Sequence, residues 1–213
     1  MLKFALFRVP VSVDWWFWLT TVLLGGGASA HDPEDWMRVM VWCLVVFVSI
    51  LVHELGHAFS GRHFGAAPFI RLHGFGGATF LPGARFTRPQ NILVSAAGPA
   101  AGLLLGLVVL ALAKTLSDLP PLARLVVRDA LYVNFFWTLV NLLPIQPLDG
   151  GQILGQTLGP RRAQLTAWIS FAVASVLCVW TLSRGQAFTA IMLAMLAYHN
   201  FRREPVEGGV ITP

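Results

Sequence analysis

The chain has 213 residues, 56% of them hydrophobic and only 12% charged, with a mean hydropathy of +0.68. Soluble domains carry about 25% charged residues, so this composition excludes an ordinary soluble globule and points to one polytopic membrane domain. The formal net charge of +5 falls in short connections between apolar runs, where it reads as a topology signal facing lipid and cytosol rather than as a nucleic-acid surface.

A membrane-spanning helix needs about 20 mostly apolar residues. Six runs are read as spans. The first, 11–24, is short; it ends at Gly25-Gly26-Gly27, and Trp15, Trp16 and Trp18 suit an interfacial belt. Asp14 and Trp15 to Trp18 enter this run and no convincing cleavage site follows, so it does not read as a signal peptide. The second covers 36–59 and the third 92–113. The fourth, 125–143, is stopped by Pro144. The fifth covers 163–182 and the sixth 188–201. Residues 1–201 thus form a single membrane-embedded domain, and the polar, Gly- and Pro-containing 202–213 is expected to be a flexible cytosolic tail. Cys43 and Cys178 lie inside apolar runs, which argues for packing rather than a disulfide framework.

With six spans both termini share a side. That side holds Lys3, Arg8, Arg62, Arg71, Arg85, Arg88, Arg161, Arg162, Arg202 and Arg203. The other holds Arg38, Lys114, Arg124, Arg128 and Arg184 beside Asp32, Glu34, Asp35, Asp118 and Asp129. The positive-inside rule then puts both termini in the cytosol of a cell that carries this multi-pass protein in its inner or plasma membrane. The second span runs inward, so its C-terminal end opens toward the cytosol.

Between spans two and three, 61–90 is polar and rich in Gly and Pro. Two β-prone runs flank the glycines from Phe69 to Phe80, the pattern of a β-hairpin. Extended backbone at membrane depth survives only when buried in protein or facing a watery cavity. An ordinary cytosolic loop is the other reading of the same turn signals.

The second span carries the chemistry. Residues 39–52 contain no charged side chain, and then come His53-Glu54-Leu55-Gly56-His57. Ionisable groups in such a setting are functional by default, and the five residues read H-E-x-x-H. Spacing of i and i+4 puts His53 and His57 on one helix face, where both imidazoles can meet one Zn²⁺ ion. Glu54, rotated around the helix, can serve as general base without ligating.

A catalytic zinc site takes three protein ligands. His63 stands where an extended soluble motif would supply a third His, but that motif needs Gly at position 60, where this chain has Ser60. His63 reads as a surface residue. Asp149 is the better candidate: it follows a span broken by Pro144 and Pro147 and precedes Gly150-Gly151, so a carboxylate can turn back into the bundle. Capping of the next helix is the competing role for Asp149.

Taken together, H-E-L-G-H at 53–57, the N-x-x-P-x-x-x-x-D-G pattern from Asn141 to Gly150, Gly74-Phe75-Gly76-Gly77 and Ser95-Ala96-Ala97-Gly98-Pro99 resemble the site-2 protease family of intramembrane zinc metalloproteases. The resemblance implies an all-α polytopic fold of about six transmembrane helices with a small membrane-associated β-hairpin between helices 2 and 3. It implies one Zn²⁺ held by His53, His57 and Asp149, and water activation by Glu54. It also implies substrate contacts from Asn141, and the Gly74, Gly76 and Gly77 stretch would offer a strand edge to an unwound substrate helix. The expected substrates are single-span regulatory membrane proteins within the lipid bilayer, with no nucleic acid; a homo-oligomer is compatible with the sequence. No region resembles the PDZ or CBS domains of many relatives, which suggests a minimal catalytic core.

Other polar features read as structural. Gly98, Gly102 and Gly106 repeat every four residues, a helix-packing device. Asn134 reads as a packing hydrogen bond, His73 and His199 as interfacial, and His31 as solvated. The rival function is a membrane metal-ion binding or transport protein, but such proteins show paired broken helices, and only 144–151 is broken here. A silent scaffold is disfavoured by Glu54, which a structural zinc would not need.

Overall fold

The computed structural model describes residues 1–116 and 118–202; of the expected tail, 202–213, all but Arg202 lies outside them. The described chain falls into two compact units: 1–85 with 97–139, and 86–96 with 140 onward.

The first unit opens with strands β1 (Leu2–Leu6) and β2 (Val9–Val13) and the short helix α1 (Trp15–Leu24). The long helix α2 (Pro33–His63) follows. Its start is fixed by Asp32, whose carboxylate accepts a hydrogen bond from the Asp35 N–H at 2.8 Å, and by Pro33 at the first turn. At about 1.5 Å per residue, its 31 residues exceed the roughly 30 Å of a hydrocarbon core. Strands β3 (Phe69–His73) and β4 (Gly76–Phe80) then form the expected hairpin, with Phe69 opposite Phe80 and His73 opposite Gly76. Helix α3 (Arg88–Thr115) returns, and α4 (Pro121–Tyr132) continues through a π-helical turn at Val133–Trp137 into α5 (Thr138–Asn141).

The N-terminal pair corrects the sequence reading, which placed the start of a span at residue 11. β1 and β2 pair antiparallel, and β2 pairs parallel to β3, making one sheet in the order β1-β2-β3-β4. The cause is period-two alternation: Val9, Val11 and Val13 are buried, as are Ile70 and Leu72 on β3, and all join α2 residues Val46, Ile50, Leu51, Leu55 and Ala58 in one core. Pro10 is tolerated because the parallel pairing to β3 involves only Val11 to Val13. The β1–β2 turn is made by Phe7 and Arg8, both with positive φ (49° and 63°). β4 lies at one edge of the sheet.

In the second unit, α6 (Asp149–Leu158), α7 (Ala163–Ser183) and α8 (Ala187–Phe201) follow the segment that leaves α5. Ile145 from that segment is fully buried and packs with Ala174 of α7 and Ala197 of α8.

Among the described residues, three helices are long and apolar enough to cross a membrane: Pro33–His63, Arg88–Thr115 and Pro160–Ser183. Two further apolar helices, Trp15–Leu24 and Ala187–Phe201, are shorter. The fourth expected span corresponds to the helical path from Pro121 to Asn141, whose first part carries Arg124, Arg128 and Asp129.

Candidate active site

The centre of the first unit is built on α2. His53 and His57, one turn apart, place their Nε2 atoms 3.1 Å from each other. Two nitrogens bound to one tetrahedral Zn²⁺ at about 2.0–2.1 Å would stand roughly 3.3 Å apart, so the pair already has the spacing of two ligands on one ion. His57 is buried, and so is Glu54, at 5% exposure.

Helix α3 passes close over this face. A side chain on Gly56 would collide with the Ala97 carbonyl of α3, and one on Gly98 would collide with the His57 imidazole ring. The four-residue glycine repeat therefore does more than bring two helices together: at Gly98 the missing Cβ is what admits a ring that faces the metal position.

Glu54 is held by the sheet. Thr79 Oγ1 lies 2.7 Å from Glu54 Oε2 and 3.0 Å from the Glu54 carbonyl oxygen. A hydroxyl has one proton, and the shorter bond to a carboxylate is the stronger use of it. A side chain on Gly77, one strand position from Ala78 and two from Thr79, would begin 2.6 Å from Glu54 Oε1. Strand β4 thus ties one carboxylate oxygen and, by lacking a side chain at 77, leaves the other uncovered. Gly76 has φ +125°, where L side chains are strained. Gly74 lies in the β3–β4 turn near Trp16 and Thr20 of α1. Sequence reasoning missed Thr79; a Thr two residues beyond Gly77 in a β-prone run was the available signal.

In the second unit, Asp149 is the first residue of α6. The preceding segment is tightly fixed. Ser170 Oγ on α7 donates to the Pro144 carbonyl and accepts from the Gln146 N–H, each at 3.1 Å. Asn200 Nδ2 on α8 donates to the Gln146 carbonyl at 2.6 Å. Ser170 and Asn200 are buried; neither carries a local motif that would reveal its role. Methyl groups at Gly150 and Gly151 would strike the backbone of Leu142 and Ile145 respectively, so this turn admits only glycine at both positions. Asn141, the other motif residue, closes α5 and is partly buried.

His53, His57 and Asp149 lie close together, each offering a ligand atom within 4.8 Å of the others, and could hold a single zinc ion. Two imidazoles and one carboxylate make a hydrolytic rather than a structural zinc donor set. His63, at the end of α2 with its ring against Phe64, is not part of any such group among the described residues.

A His-Glu-x-x-His turn inside an apolar helix, grouped with a distant carboxylate, has the donor set of a hydrolytic metal site. The sequence matches the family described as Peptidase M50B-like over residues 14–148 and Peptidase family M50 over 122–181. The chain belongs to this family, the site-2 proteases. It is 29% identical over 210 residues to the Synechocystis protein sll0528, covering 88% of this chain and 55% of that protein. It is 30% identical over 201 residues to Rip3 of Mycobacterium tuberculosis, covering 92% and 49%. Both relatives are named as zinc metalloproteases, and the chain spans about half the length of each. The solved structure of a site-2 protease from Methanocaldococcus jannaschii shares the fold, with a TM-score of 0.67 and 21% identity over 100% of this chain and 98% of that one.

Proposed function

We propose that residues 1–201 act as one membrane-embedded zinc endopeptidase domain that cuts peptide bonds in or beside transmembrane segments. The observation that carries this reading is the pairing of a two-imidazole, one-carboxylate group with a separate buried carboxylate, Glu54, held by a strand. A transport site would have no use for a carboxylate fixed beside the ligands and outside the ligand set.

His53, His57 and Asp149 would hold the ion. When bound, zinc would polarise the scissile carbonyl and make water more acidic. Glu54 takes a proton from the attacking water as its oxygen bonds to the carbonyl carbon, then delivers that proton to the amine as the C–N bond breaks. Thr79 keeps the carboxylate turned toward that exchange, and Gly77 keeps one oxygen accessible. The free edge of β4 suits pairing with an unwound substrate segment, since a helical substrate hides its carbonyls in internal hydrogen bonds. Gly74, Gly76 and Gly77 would shape that edge, and Asn141 would hold the scissile carbonyl.

The substrates proposed are single-span regulatory membrane proteins. Six spans, with α1, the 121–141 path and α8 adding to the three long helices, would put both termini and the site opening on the cytosolic side of the plasma membrane, as the Lys and Arg distribution supports.

The test is cleavage of a tagged single-span substrate by detergent-purified protein and its Glu54→Gln variant, with zinc measured in both. Lost cleavage with retained zinc is expected. Unchanged cleavage overturns the role of Glu54.

A further inference from the structure

Behind His53 lies a polar cradle that the mechanism above does not use. Asn134 sits in the π-helical turn at Val133–Trp137 and is 3% exposed. Its Nδ2 donates to Ser49 Oγ at 2.9 Å and to the Ala130 carbonyl at 2.8 Å. Its Oδ1 is buried and has no hydrogen-bond partner among the described residues. A buried amide oxygen without a partner is costly, and such groups are few in native proteins. π-Turns of this kind occur often at functional sites.

The same oxygen borders a small space on α3. A methyl group at Gly102 would lie 3.0 Å from Thr138 Oγ1, 3.8 Å from His53 Nδ1 and 3.9 Å from Asn134 Oδ1. Three polar atoms from three different elements therefore surround one point that the glycine leaves open. A buried water needs two to four polar partners, and a solvent molecule set farther from the Gly102 Cα than that methyl position would have these three atoms to draw on.

The His53 and His57 Nε2 atoms face each other, so Nε2 of His53 is the nitrogen aimed at the metal and Nδ1 is the one aimed into the cradle. A ligating His donates its other N–H to an outer acceptor, which fixes both its tautomer and its ring plane. We infer that Gly102, Thr138 and Asn134 hold an ordered water that accepts the His53 Nδ1–H and passes the hydrogen bond to Asn134 Oδ1, making Asn134 and Thr138 positioning residues for the metal site. The small residue at 102 is then a water seat as well as a packing position. The inference rests on His53 being a metal ligand, as proposed above.

The test is zinc affinity, measured by chelator competition on full-length protein in detergent, beside a high-resolution crystal structure of the zinc-loaded wild type. Thr138→Val removes the hydroxyl at nearly constant volume, and Gly102→Ala fills the seat. Each is expected to weaken zinc binding about 10–100-fold, the usual size of an outer-shell loss, whereas Thr138→Ser keeps wild-type affinity. The structure should show a solvent molecule in hydrogen-bond reach of both His53 Nδ1 and Asn134 Oδ1. Wild-type affinity in Thr138→Val, or a structure with no solvent between those two atoms, overturns the inference. If the Gly102→Ala protein fails to fold, the threonine pair and the structure still decide. Wild-type protein that binds no zinc at all would instead defeat the underlying metal reading.

Discussion

His53 and His57 are presented by an unbroken helix of 31 residues, whereas Asp149 follows a segment broken by prolines and tied down from two other helices. On α2, backbone geometry alone spaces the two imidazoles, and the neighbours need only stay out of the way, as Gly98 does. At Asp149 local geometry does not suffice, so Ser170 and Asn200 hold the approach and two glycines allow its turn to close. Precision can come from regular structure without long-range support, or from irregular structure with a great deal of it.

This contrast can be attacked by mutation, beginning with the largest effect. Glu54→Gln should lower kcat for substrate cleavage by about 10²–10⁴-fold, the usual contribution of a general base, with zinc stoichiometry unchanged; loss of the metal would show that Glu54 is structural. Gly77→Val should push the Glu54 carboxylate off its position and lower cleavage by on the order of 10²-fold, since a displacement of about 1 Å can have that effect. Zinc content should hold in Gly77→Val, and its collapse would mean that β4 supports the ligands rather than the base.

The support around Asp149 gives a smaller but diagnostic response. Asn200→Leu should destabilise the protein by about 1–3 kcal/mol by removing the buried amide that donates to the Gln146 carbonyl, measured by thermal unfolding in detergent. It should also lower zinc affinity, whereas an equally destabilising change on α1 should not. If both changes affect zinc alike, the ties to 144–147 have no special role. The smallest effect is expected at the sheet surface. Arg71 donates two hydrogen bonds to one Asp14 oxygen, at 2.7 and 2.9 Å, yet the arginine is half exposed. Arg71→Ala should therefore change stability by about 0–1 kcal/mol and leave zinc binding alone.

What could be read from sequence follows the same division. The i, i+4 imidazoles, the adjacent base and the hairpin at 69–80 are local patterns, and each is visible in a few consecutive residues. The long helices show in hydropathy, although length and composition support three of the six expected spans directly. The N-terminal strands were hidden because their turn uses Phe7 and Arg8 at positive φ instead of the Asn or Gly that signals a two-residue hairpin loop, and because Val9-Pro10-Val11 merged with the apolar run that follows. Ser170 and Asn200 could not be singled out, since each works through a partner 24 to 54 positions away, and Thr79, 25 positions from Glu54, had only its place beyond Gly77 in a β-prone run to mark it. Gly98 was visible as part of a repeat, but only coordinates reveal that an imidazole fills the room it leaves.

The most direct test of the metal centre compares zinc bound per protein in the wild type, Asp149→Ala and His63→Ala, each purified in detergent and measured by elemental analysis. One ion per wild-type chain, retained in His63→Ala and lost in Asp149→Ala, is the predicted result. Zinc retained without Asp149, or lost without His63, would contradict it.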